Sequence, residues 1–515
     1  ALVSILGLAG PDAEALIGRV TSDKKYTVLA HGLDTATGDR IRAAIQAQAV
    51  EGVALESEPV RVYPQAGGGP GTTLAAKILG FVNREGDGQY GVEQYYQDTL
   101  AGRPRVVQAQ RDLAARSISD TTLVRDAGTA GADLRLTIDA GLQLQVEQEL
   151  LAAWAADQAK SVSAIVMNPY TGEILAQASY PSYDANDYAA IAAGNPSRFI
   201  DPVVSSVYEP GSVFKMLTVV AGMEKHQVTT KTKIKDTGIL MLDRGTAHID
   251  DADHKAKGWM TFEDAIAWSR NVVAAKVALG LDRNVRTASS ILHATWTKFG
   301  FGSRTGVDLA GEVGGLVRDP AIRAWREIDL ANGAFGQGVA VTPLQLATAY
   351  ATMVNGGLTI APHVVKAVGM AEKTVPAGAR VIEKDLSRTL VGMMRHVVTT
   401  VPFYRDRTIV PGYDVGGKTG TAQIWDVTAN GGRGAWKRNI FNYSFIGYIG
   451  RDTGVPDLIV AIRIEEGKPT IAKLGQLEMP VMSFELFRRI AHDAITTPDV
   501  LPEGTDPTQS TTATR

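Results

Sequence analysis

The chain has 515 residues, with 52 lysines and arginines, 55 aspartates and glutamates, and no cysteine. The net charge of −3 argues against a general nucleic-acid-binding surface, and the lack of cysteine excludes zinc fingers, iron–sulfur clusters, disulfide scaffolds and thiol catalysis. At roughly 150 residues per domain, the length predicts two to four globular domains. No run of residues reaches the roughly 18–20 apolar positions of a membrane span. Because the chain begins at Ala1, we expect a targeting or anchoring segment to precede it.

Residues 1–130 are predicted to form a first α+β module, in which no residues have the spacing of a strong catalytic motif. Apolar residues at helical spacing predict a helix over Arg40–Val50, and Tyr26–Leu29 has the composition of a short strand. The Gly/Pro-rich run Gly67–Gly71 predicts a loop. Further short helices are predicted at Ala75–Val82 and Gly91–Leu100, and short strands at Val106–Arg111 and Thr122–Val124.

A second module is predicted over residues 131–497. Apolar residues recur every four positions from Leu142 to Trp154, which predicts an amphipathic helix with Asp139 as its N-cap. Two β-type runs flank the turn sequence Asn168–Gly172 and predict a hairpin. A helix followed by antiparallel strands indicates an α+β fold. Later elements are predicted as strands at Tyr443–Ile449 and Leu458–Ile464, a helix at Met479–Ile495, and a disordered Pro/Thr/Ser-rich tail over 498–515.

The first chemical motif is Ser212-x-x-Lys215. Its two polar residues are three positions apart, so on a helix they share one face. A serine hydroxyl becomes a useful nucleophile only when a base removes its proton, and a buried lysine with a lowered pKa is such a base. The pattern also occurs by chance, as at Ser22-x-x-Lys25, where a solvated turn is expected.

The second motif is Ser269-x-Asn271, which places a hydroxyl and an amide where both can face one cleft. Ser269 is a candidate proton relay, and Asn271 is a candidate for holding a substrate amide. The structural alternative is a helix cap before the apolar run that starts at Val272.

The third motif, Lys418-Thr419-Gly420-Thr421, has two interpretations. Gly412–Thr419 matches the phosphate-loop pattern, which requires a strand before it and a helix after it. A turn precedes it and strand-like residues follow, so this context is unfavourable. The other interpretation is an edge strand along which a substrate backbone approaches the glycines, with Lys418 supplying positive charge.

Together, the motifs S-x-x-K, S-x-N and K-T-G, in this order, form the signature of penicillin-recognising serine acyltransferases. On this basis the chain resembles the class B penicillin-binding proteins, the monofunctional D,D-transpeptidases of bacterial cell-wall synthesis. The resemblance covers most of residues 55–495. It also includes the runs Asn168–Ala176, Tyr180–Asp184, Thr305–Leu309, Phe335–Gly338, Val341–Gln345, Arg61–Pro64 and Gly91–Gln94.

The resemblance implies a penicillin-binding transpeptidase fold, in which an antiparallel sheet is flanked by helices beside a helical lobe, behind a non-catalytic pedestal of residues 1–130. It implies that Ser212 attacks the penultimate D-Ala of a D-Ala-D-Ala stem peptide and that Lys215 takes its proton. Ser269 and Lys418 are implied to return a proton to the leaving D-Ala.

The same resemblance implies the substrate-binding residues. Asn271 would hold the donor peptide's amide, and Thr419, Gly420 and Thr421 would bind along the substrate, with the two threonines at its terminal carboxylate. The backbone N–H groups of Ser212 and Thr421 would form an oxyanion hole.

The implied partners are peptidoglycan stem peptides on a lipid-linked precursor, β-lactams as inhibitors, and a membrane-embedded glycan polymerase. The implied location is extracytoplasmic, on a single-pass membrane anchor. Neither a metal nor another cofactor is expected. Division, elongation and sporulation roles are left open.

Several alternatives are weighed against this interpretation. A β-lactamase or β-lactam sensor has the same fold, but no deacylation base is evident from spacing. A phosphate-loop NTPase requires a helix after Lys418, and an inactive scaffold is disfavoured because all three motifs are intact. His248 and His254 flank Asp250, Asp251 and Asp253, which is either a cation site or, as we expect, a solvated loop.

Overall fold

The computed structural model describes residues 1–24, 26–58, 60–110, 121–473, 476–498 and 500–501. Within it, the chain divides into two compact units, one of residues Ala1–Val62 and one that begins at Tyr63. The predicted domain boundary near residue 130 does not coincide with this division and stays a prediction. Among the described residues, no helix is both long enough and apolar enough to cross a membrane.

The smaller unit contains α1 (Leu2–Ile5), α2 (Gly10–Val20) and α3 (Thr35–Gln46). The predicted helix over residues 40–50 is confirmed by α3, which begins earlier because Asp34 caps it by accepting the N–H of Thr37. The predicted strand at Tyr26–Leu29 is wrong. Tyr26 is 71% exposed, and no neighbouring strand in the described part of the unit covers this run.

The larger unit contains the remaining elements. Its helices are α4 (Ala76–Leu79), α5 (Gly91–Tyr95), α6 (Gln97–Ala101), α7 (Ala140–Asp157), α8 (Tyr188–Gly194), α9 (Pro202–Ser205), α10 (Lys215–Glu224), α11 (Phe262–Ala267), α12 (Asn271–Leu279), α13 (Val285–Lys298), α14 (Glu327–Gly333), α15 (Pro343–Val354), α16 (Lys384–Thr400), α17 (Pro402–Thr408), α18 (Ala429–Gly432) and α19 (Ser483–Thr496).

Its strands are β1 (Phe81–Val82), β2 (Gly88–Gln89), β3 (Val106–Gln108), β4 (Leu123–Asp126), β5 (Leu134–Leu136), β6 (Ser161–Met167), β7 (Ile174–Tyr180), β8 (Lys233–Asp236), β9 (Ile239–Leu242), β10 (Ala247–Asp250), β11 (Gly258–Thr261), β12 (Val365–Val368), β13 (Ala371–Glu372), β14 (Asp414–Asp426), β15 (Ala435–Gly450), β16 (Leu458–Gly467), β17 (Ile471–Lys473) and β18 (Gln476–Glu478).

The centre of the larger unit is an antiparallel five-stranded sheet with the order β14-β15-β16-β6-β7. Alternate residues of β16 point to opposite faces, as the pleat requires. Val460 and Ile462 pack into a core with α7 and α19, whereas Ile459 and Ala461 pack into the core that contains α10, α15 and α16. The sheet is therefore covered on both faces, and the predicted α+β architecture of an antiparallel sheet flanked by helices is confirmed.

Local sequence explains the first elements of this layer. The Asp139 carboxylate caps α7 by accepting the N–H of Leu142 at 2.7 Å, and the apolar face from Leu142 to Leu150 is fully buried. The predicted hairpin is confirmed by β6 and β7, whose turn is fixed by the Asn168 side chain, which accepts the N–H of Tyr170.

The predicted tail is described only at its start. Val500 is buried against the core beneath α7 and α19, so this part of the predicted tail is packed. Residues 502–515 lie outside the described residues.

The core on the opposite face includes helices α10 to α14, which form the predicted helical lobe. Short two-stranded sheets, β8 with β11 and β9 with β10, lie beside α12. The lobe and the edge strand β14 thus bring the three sequence motifs to one place.

Candidate active site

Ser212 lies on a 3-10 turn, Gly211–Phe214, that continues directly into α10. Gly211 has a φ of +61°, and a Cβ there would come within 2.8 Å of the Thr421 carbonyl oxygen, so glycine permits a close approach to β14. On the other side, the Tyr350 hydroxyl donates a hydrogen bond to the Val213 carbonyl at 2.7 Å. The turn that carries Ser212 is therefore held between α15 and the edge of the sheet.

Lys215 is the first residue of α10, and its side chain is completely buried. Its Nζ lies 3.0 Å from the Ser212 Oγ, 2.7 Å from the Asn271 Oδ1 and 3.0 Å from the Ser269 Oγ. The Ser269 carbonyl oxygen is a fourth neighbour at 2.5 Å. Two of these neighbours, the Asn271 Oδ1 and the Ser269 carbonyl oxygen, can only accept hydrogen bonds, which matches the two N–H groups of a neutral amine. The lone pair of that amine can then accept the hydroxyl proton of Ser212.

The pKa values of the two buried lysines support this assignment of protons. Burial, with the positive charge of Lys418 as the next cause, holds the pKa of Lys215 well below its usual range. Burial also lowers the pKa of Lys418 to about 7. Both side chains are therefore much easier to deprotonate at neutral pH than a lysine in water.

Ser269 and Asn271 flank the start of α12. Ser269 has a φ of +58°, a left-handed conformation that is unfavourable for a residue with a Cβ. Its Oγ lies 3.0 Å from the Nζ of Lys215 and 3.0 Å from that of Lys418, so one hydroxyl joins the two amines.

The K-T-G motif lies on β14, which is an edge strand of the five-stranded sheet, as predicted. The phosphate-loop interpretation is wrong, because Lys418 and Thr419 lie in the middle of a strand that continues to Asp426, so no helix begins directly after them. A Cβ on Gly420 would come within 2.7 Å of the Pro210 carbonyl oxygen, so this glycine lets the strand lie against the turn that carries Ser212. Thr421 is exposed along this edge.

The structure brings the predicted residues of all three motifs together. Ser212, Lys215, Ser269, Asn271 and Lys418 form one hydrogen-bonded cluster, although Ser269 and Lys418 are 149 positions apart in the sequence. Thr419, Gly420 and Thr421 continue along β14 from Lys418.

Two groups of residues beside the site were not identified from the sequence. Tyr404 on α17 has its Oη 3.2 Å from the Thr419 Oγ1. The middle residue of the second motif, Arg270, forms ion pairs with Asp236, Asp251 and Asp253. The group of carboxylates considered as a cation site from the sequence is therefore an arginine-binding cluster in part, because Asp251 and Asp253 pair with Arg270.

The histidines of that region lie outside the cluster. Among the acidic residues that the structure describes, His248 and His254 approach Asp250 alone, at 3.5 and 3.7 Å, and both histidine side chains are more than half exposed. Within the described ranges, no group of three or more His, Asp or Glu side chains is arranged to hold a metal ion.

Comparison with known proteins agrees with the fold described above. The protein-family model of the penicillin-binding protein transpeptidase domain matches residues 162–482, which is more than half of the chain. The chain therefore belongs to the penicillin-binding protein transpeptidase family, and the resemblance to its class B members is confirmed.

Among curated proteins, the chain is 31% identical over 445 residues to stage V sporulation protein D of Bacillus subtilis, covering 85% of this chain and 65% of that protein. It is 32% identical over 375 residues to the peptidoglycan D,D-transpeptidase FtsI of Escherichia coli K12, covering 72% of this chain and 58% of that protein. The chain thus spans less than two thirds of the length of these relatives.

Among solved structures, penicillin-binding protein 3 of Mycobacterium tuberculosis in complex with aztreonam is similar, with a TM-score of 0.68 and 28% identity. The match covers 82% of this chain and 88% of that one.

Proposed function

We propose that this chain is the catalytic part of a peptidoglycan D,D-transpeptidase that works through an acyl-enzyme on Ser212. The observation that carries the proposal is the position of the buried Lys215 amine, 3.0 Å from the Ser212 Oγ and in contact with the S-x-N motif. Family membership supports the same activity.

In the acylation step, the Ser212 Oγ attacks the carbonyl carbon of the penultimate D-Ala of a stem peptide, and its proton passes to the Lys215 Nζ. The oxyanion faces the backbone N–H groups of Ser212 and Thr421, each of which typically contributes about 3 kcal/mol to transition-state stabilisation. As the tetrahedral intermediate collapses, the C–N bond to the terminal D-Ala breaks. The leaving nitrogen takes a proton from the Lys215–Ser269–Lys418 cluster.

Substrate recognition is assigned to the residues that border this cluster. The Asn271 side chain has its amide group beside the reacting centre and holds the donor amide. Thr419 and Thr421, with Gly420 between them, bind along the substrate on β14, and the two hydroxyls receive its terminal carboxylate. Lys418 adds positive charge beside that carboxylate when it is protonated.

In the second step, an amine of a neighbouring stem peptide attacks the acyl-enzyme. A new amide forms, the ester bond to the Ser212 Oγ breaks, and the oxygen regains a proton. We infer that the donors are supplied as nascent strands made from a lipid-linked precursor by a membrane-embedded glycan polymerase. An extracytoplasmic location on a membrane anchor suits these substrates.

A β-lactam places a strained amide where the donor bond would lie and acylates the same oxygen. Its leaving group stays attached, so the adduct persists unless a base directs water to it. The alternative function, a β-lactamase or β-lactam sensor, differs at this point alone. The similarity to penicillin-binding protein 3 of M. tuberculosis, which forms a complex with aztreonam, supports β-lactam binding by this chain.

The proposal is tested by supplying the wild-type protein and a Ser212→Ala variant with nascent strands made from lipid-linked precursor by a glycan polymerase. We expect free D-Ala and crosslinked muropeptide dimers with wild type, and neither with the variant, as measured by mass spectrometry. Dimers at an equal rate with Ser212→Ala would contradict the proposal.

A further inference from the structure

Arg270, the central residue of the S-x-N motif, is buried at the centre of a cluster of acidic residues. Only 5% of its side chain is exposed, and its Nε donates to the Asp236 Oδ2 at 2.8 Å. Its Nη1 donates to the Asp253 Oδ1 at 2.9 Å, and its Nη2 lies 3.2 Å from the Asp251 Oδ2. A planar guanidinium holds several carboxylates at once, so one side chain joins the end of β8 to the loop after β10 behind the motif.

Asp251 fixes the other side of the same turn. Its Oδ1 accepts the backbone N–H of Asn271 at 2.5 Å and that of Val272 at 3.2 Å, so the carboxylate caps the N-terminus of α12. The Asn271 Nδ2 donates to the Asp250 carbonyl at 3.0 Å. These bonds leave the Asn271 Oδ1 free to face Lys215, 2.7 Å away.

The turn also needs support, because Ser269 adopts a left-handed backbone conformation that is unfavourable for a residue with a Cβ. Such a conformation persists only where neighbouring contacts determine it. Arg270 and Asn271, the next two residues, supply those contacts through the acidic cluster.

We propose that Arg270 and Asp251 are positioning residues for acylation, because together they hold Ser269 and Asn271 against the amine of Lys215. The proposal rests on the acylation mechanism proposed above. The hydrogen-bond neighbours of the Lys215 amine are Ser212, Ser269 and Asn271, so Arg270 and Asp251 act on the base through Ser269 and Asn271.

The charged residues around Lys215 also affect its pKa. A change in the pH dependence of acylation therefore separates a positioning role from a simple loss of protein stability. Besides burial, Lys418 and Arg270 lower the pKa of Lys215, whereas Asp251 raises it. Asp251 itself has a pKa raised to about 6 by burial and by its hydrogen bond with Asp236. An ionised Asp251 therefore opposes the effect of Arg270 on the base.

The test measures the acylation rate constant with a fluorescent penicillin across a pH series. The variants are Arg270→Met, which removes the guanidinium, and Asp251→Asn, which keeps an oxygen for the two backbone N–H groups but cannot ionise. The matched control is Lys373→Met, which also removes a cation from a buried carboxylate, Asp308, but outside the active-site cluster. Thermal unfolding of each variant shows that the protein measured is folded.

We expect Arg270→Met to acylate at least about tenfold more slowly at neutral pH, and Asp251→Asn to retain most of the rate. The acid limb of the rate profile, where the rate falls as Lys215 becomes protonated, should move in opposite directions in the two variants. It should move to higher pH in Arg270→Met and to lower pH in Asp251→Asn, by about one unit in each case. Lys373→Met should match wild type.

A wild-type rate and an unchanged limb in Arg270→Met would overturn the proposal. If Arg270→Met does not fold, an unmoved or upward-shifted limb in Asp251→Asn would overturn it equally. An equal loss of rate in Lys373→Met would also overturn it, because the loss would then follow general destabilisation. If wild type itself were not acylated, the proposed function would fail first, so the two failures are distinguishable.

Discussion

The Nζ of Lys215 lies 3.0 Å from the Oγ of Ser212, on a lysine side chain with no exposed surface. Burial removes the water that would otherwise stabilise the ammonium, and the nearby Lys418 adds repulsion. The two effects lower the pKa of Lys215 and make it available as a base.

The first prediction concerns this base. Lys215→Met keeps the length of the side chain and loses the amine, so the rate of acylation by penicillin should fall by about 10²–10⁴-fold while the protein stays folded. The control is Lys77→Met. Lys77 is also buried, with its pKa lowered to about 8, but it donates to the Ile200 carbonyl away from the motifs. Equal loss of acylation in both variants would contradict the role of Lys215.

The second prediction links Lys418 to stability. Because burial lowers its pKa from 10.5 to about 7, the native state binds fewer protons than the unfolded state between these values. The free energy of unfolding should therefore rise with pH in this window, and the destabilising effect is fully present only below it. Lys418→Met should be less active but more stable by roughly 1–3 kcal/mol near pH 6.

Denaturant unfolding at a series of pH values measures this difference. The stability gained by Lys418→Met should shrink steadily as the pH approaches 10.5, where the unfolded lysine also loses its proton. A gain that is constant with pH would show that the pKa of Lys418 is not lowered in the native state.

The third prediction concerns the close approach of β14 to the turn Gly211–Phe214, which carries Ser212. In Gly420→Ala, the new Cβ would lie 2.7 Å from the Pro210 carbonyl oxygen and would also meet the Ser444 hydroxyl. The strand must move away from Ser212, so we expect acylation to slow by at least about tenfold. In the control, Gly392→Ala on α16, the Cβ points into open space, and stability should rise by up to about 1 kcal/mol. Wild-type acylation by Gly420→Ala would contradict this role of the edge strand.

The fourth prediction concerns Tyr404, whose Oη lies 3.2 Å from the Thr419 Oγ1. Tyr404→Phe removes the hydroxyl that orients Thr419 and should weaken binding of a carboxylate-bearing β-lactam by about 0.5–1.5 kcal/mol. Because Tyr404 does not contact Ser212 or Lys215 in this cluster, the acylation rate at saturation should change little. A fall in that saturating rate with unchanged affinity would contradict the assignment.

Local patterns predicted several elements well. Four-residue spacing and the N-cap Asp139 located α7, and the turn chemistry at Asn168–Gly172 located the β6–β7 hairpin. These signals act within one element and need no knowledge of its neighbours. Ala75–Val82 was predicted as one helix, but Gly80, with a φ of +78°, ends it at Leu79 and a strand follows.

Long-range contacts explain what the sequence did not reveal. The order of the three motifs predicted that they meet, but the two bonds of the Ser269 hydroxyl to Lys215 and Lys418 are visible only in the folded chain. The acidic residues that surround Arg270 in the fold have the same sequence pattern whether they bind a metal cation or an arginine. The sequence therefore did not distinguish these two roles. Tyr404 reaches Thr419 through packing of α17, for which no local signal exists.

The central claim is that Ser212 forms a persistent acyl-enzyme with Lys215 as its base. Labelling with a fluorescent penicillin, followed by a chase with unlabelled penicillin and a denaturing gel, tests it directly on wild type and Ser212→Ala. We expect a covalent label on wild type that survives the chase and is absent from the variant. Label on both proteins would contradict Ser212 as the nucleophile, and rapid loss of label with turnover would contradict the transpeptidase and indicate a β-lactamase.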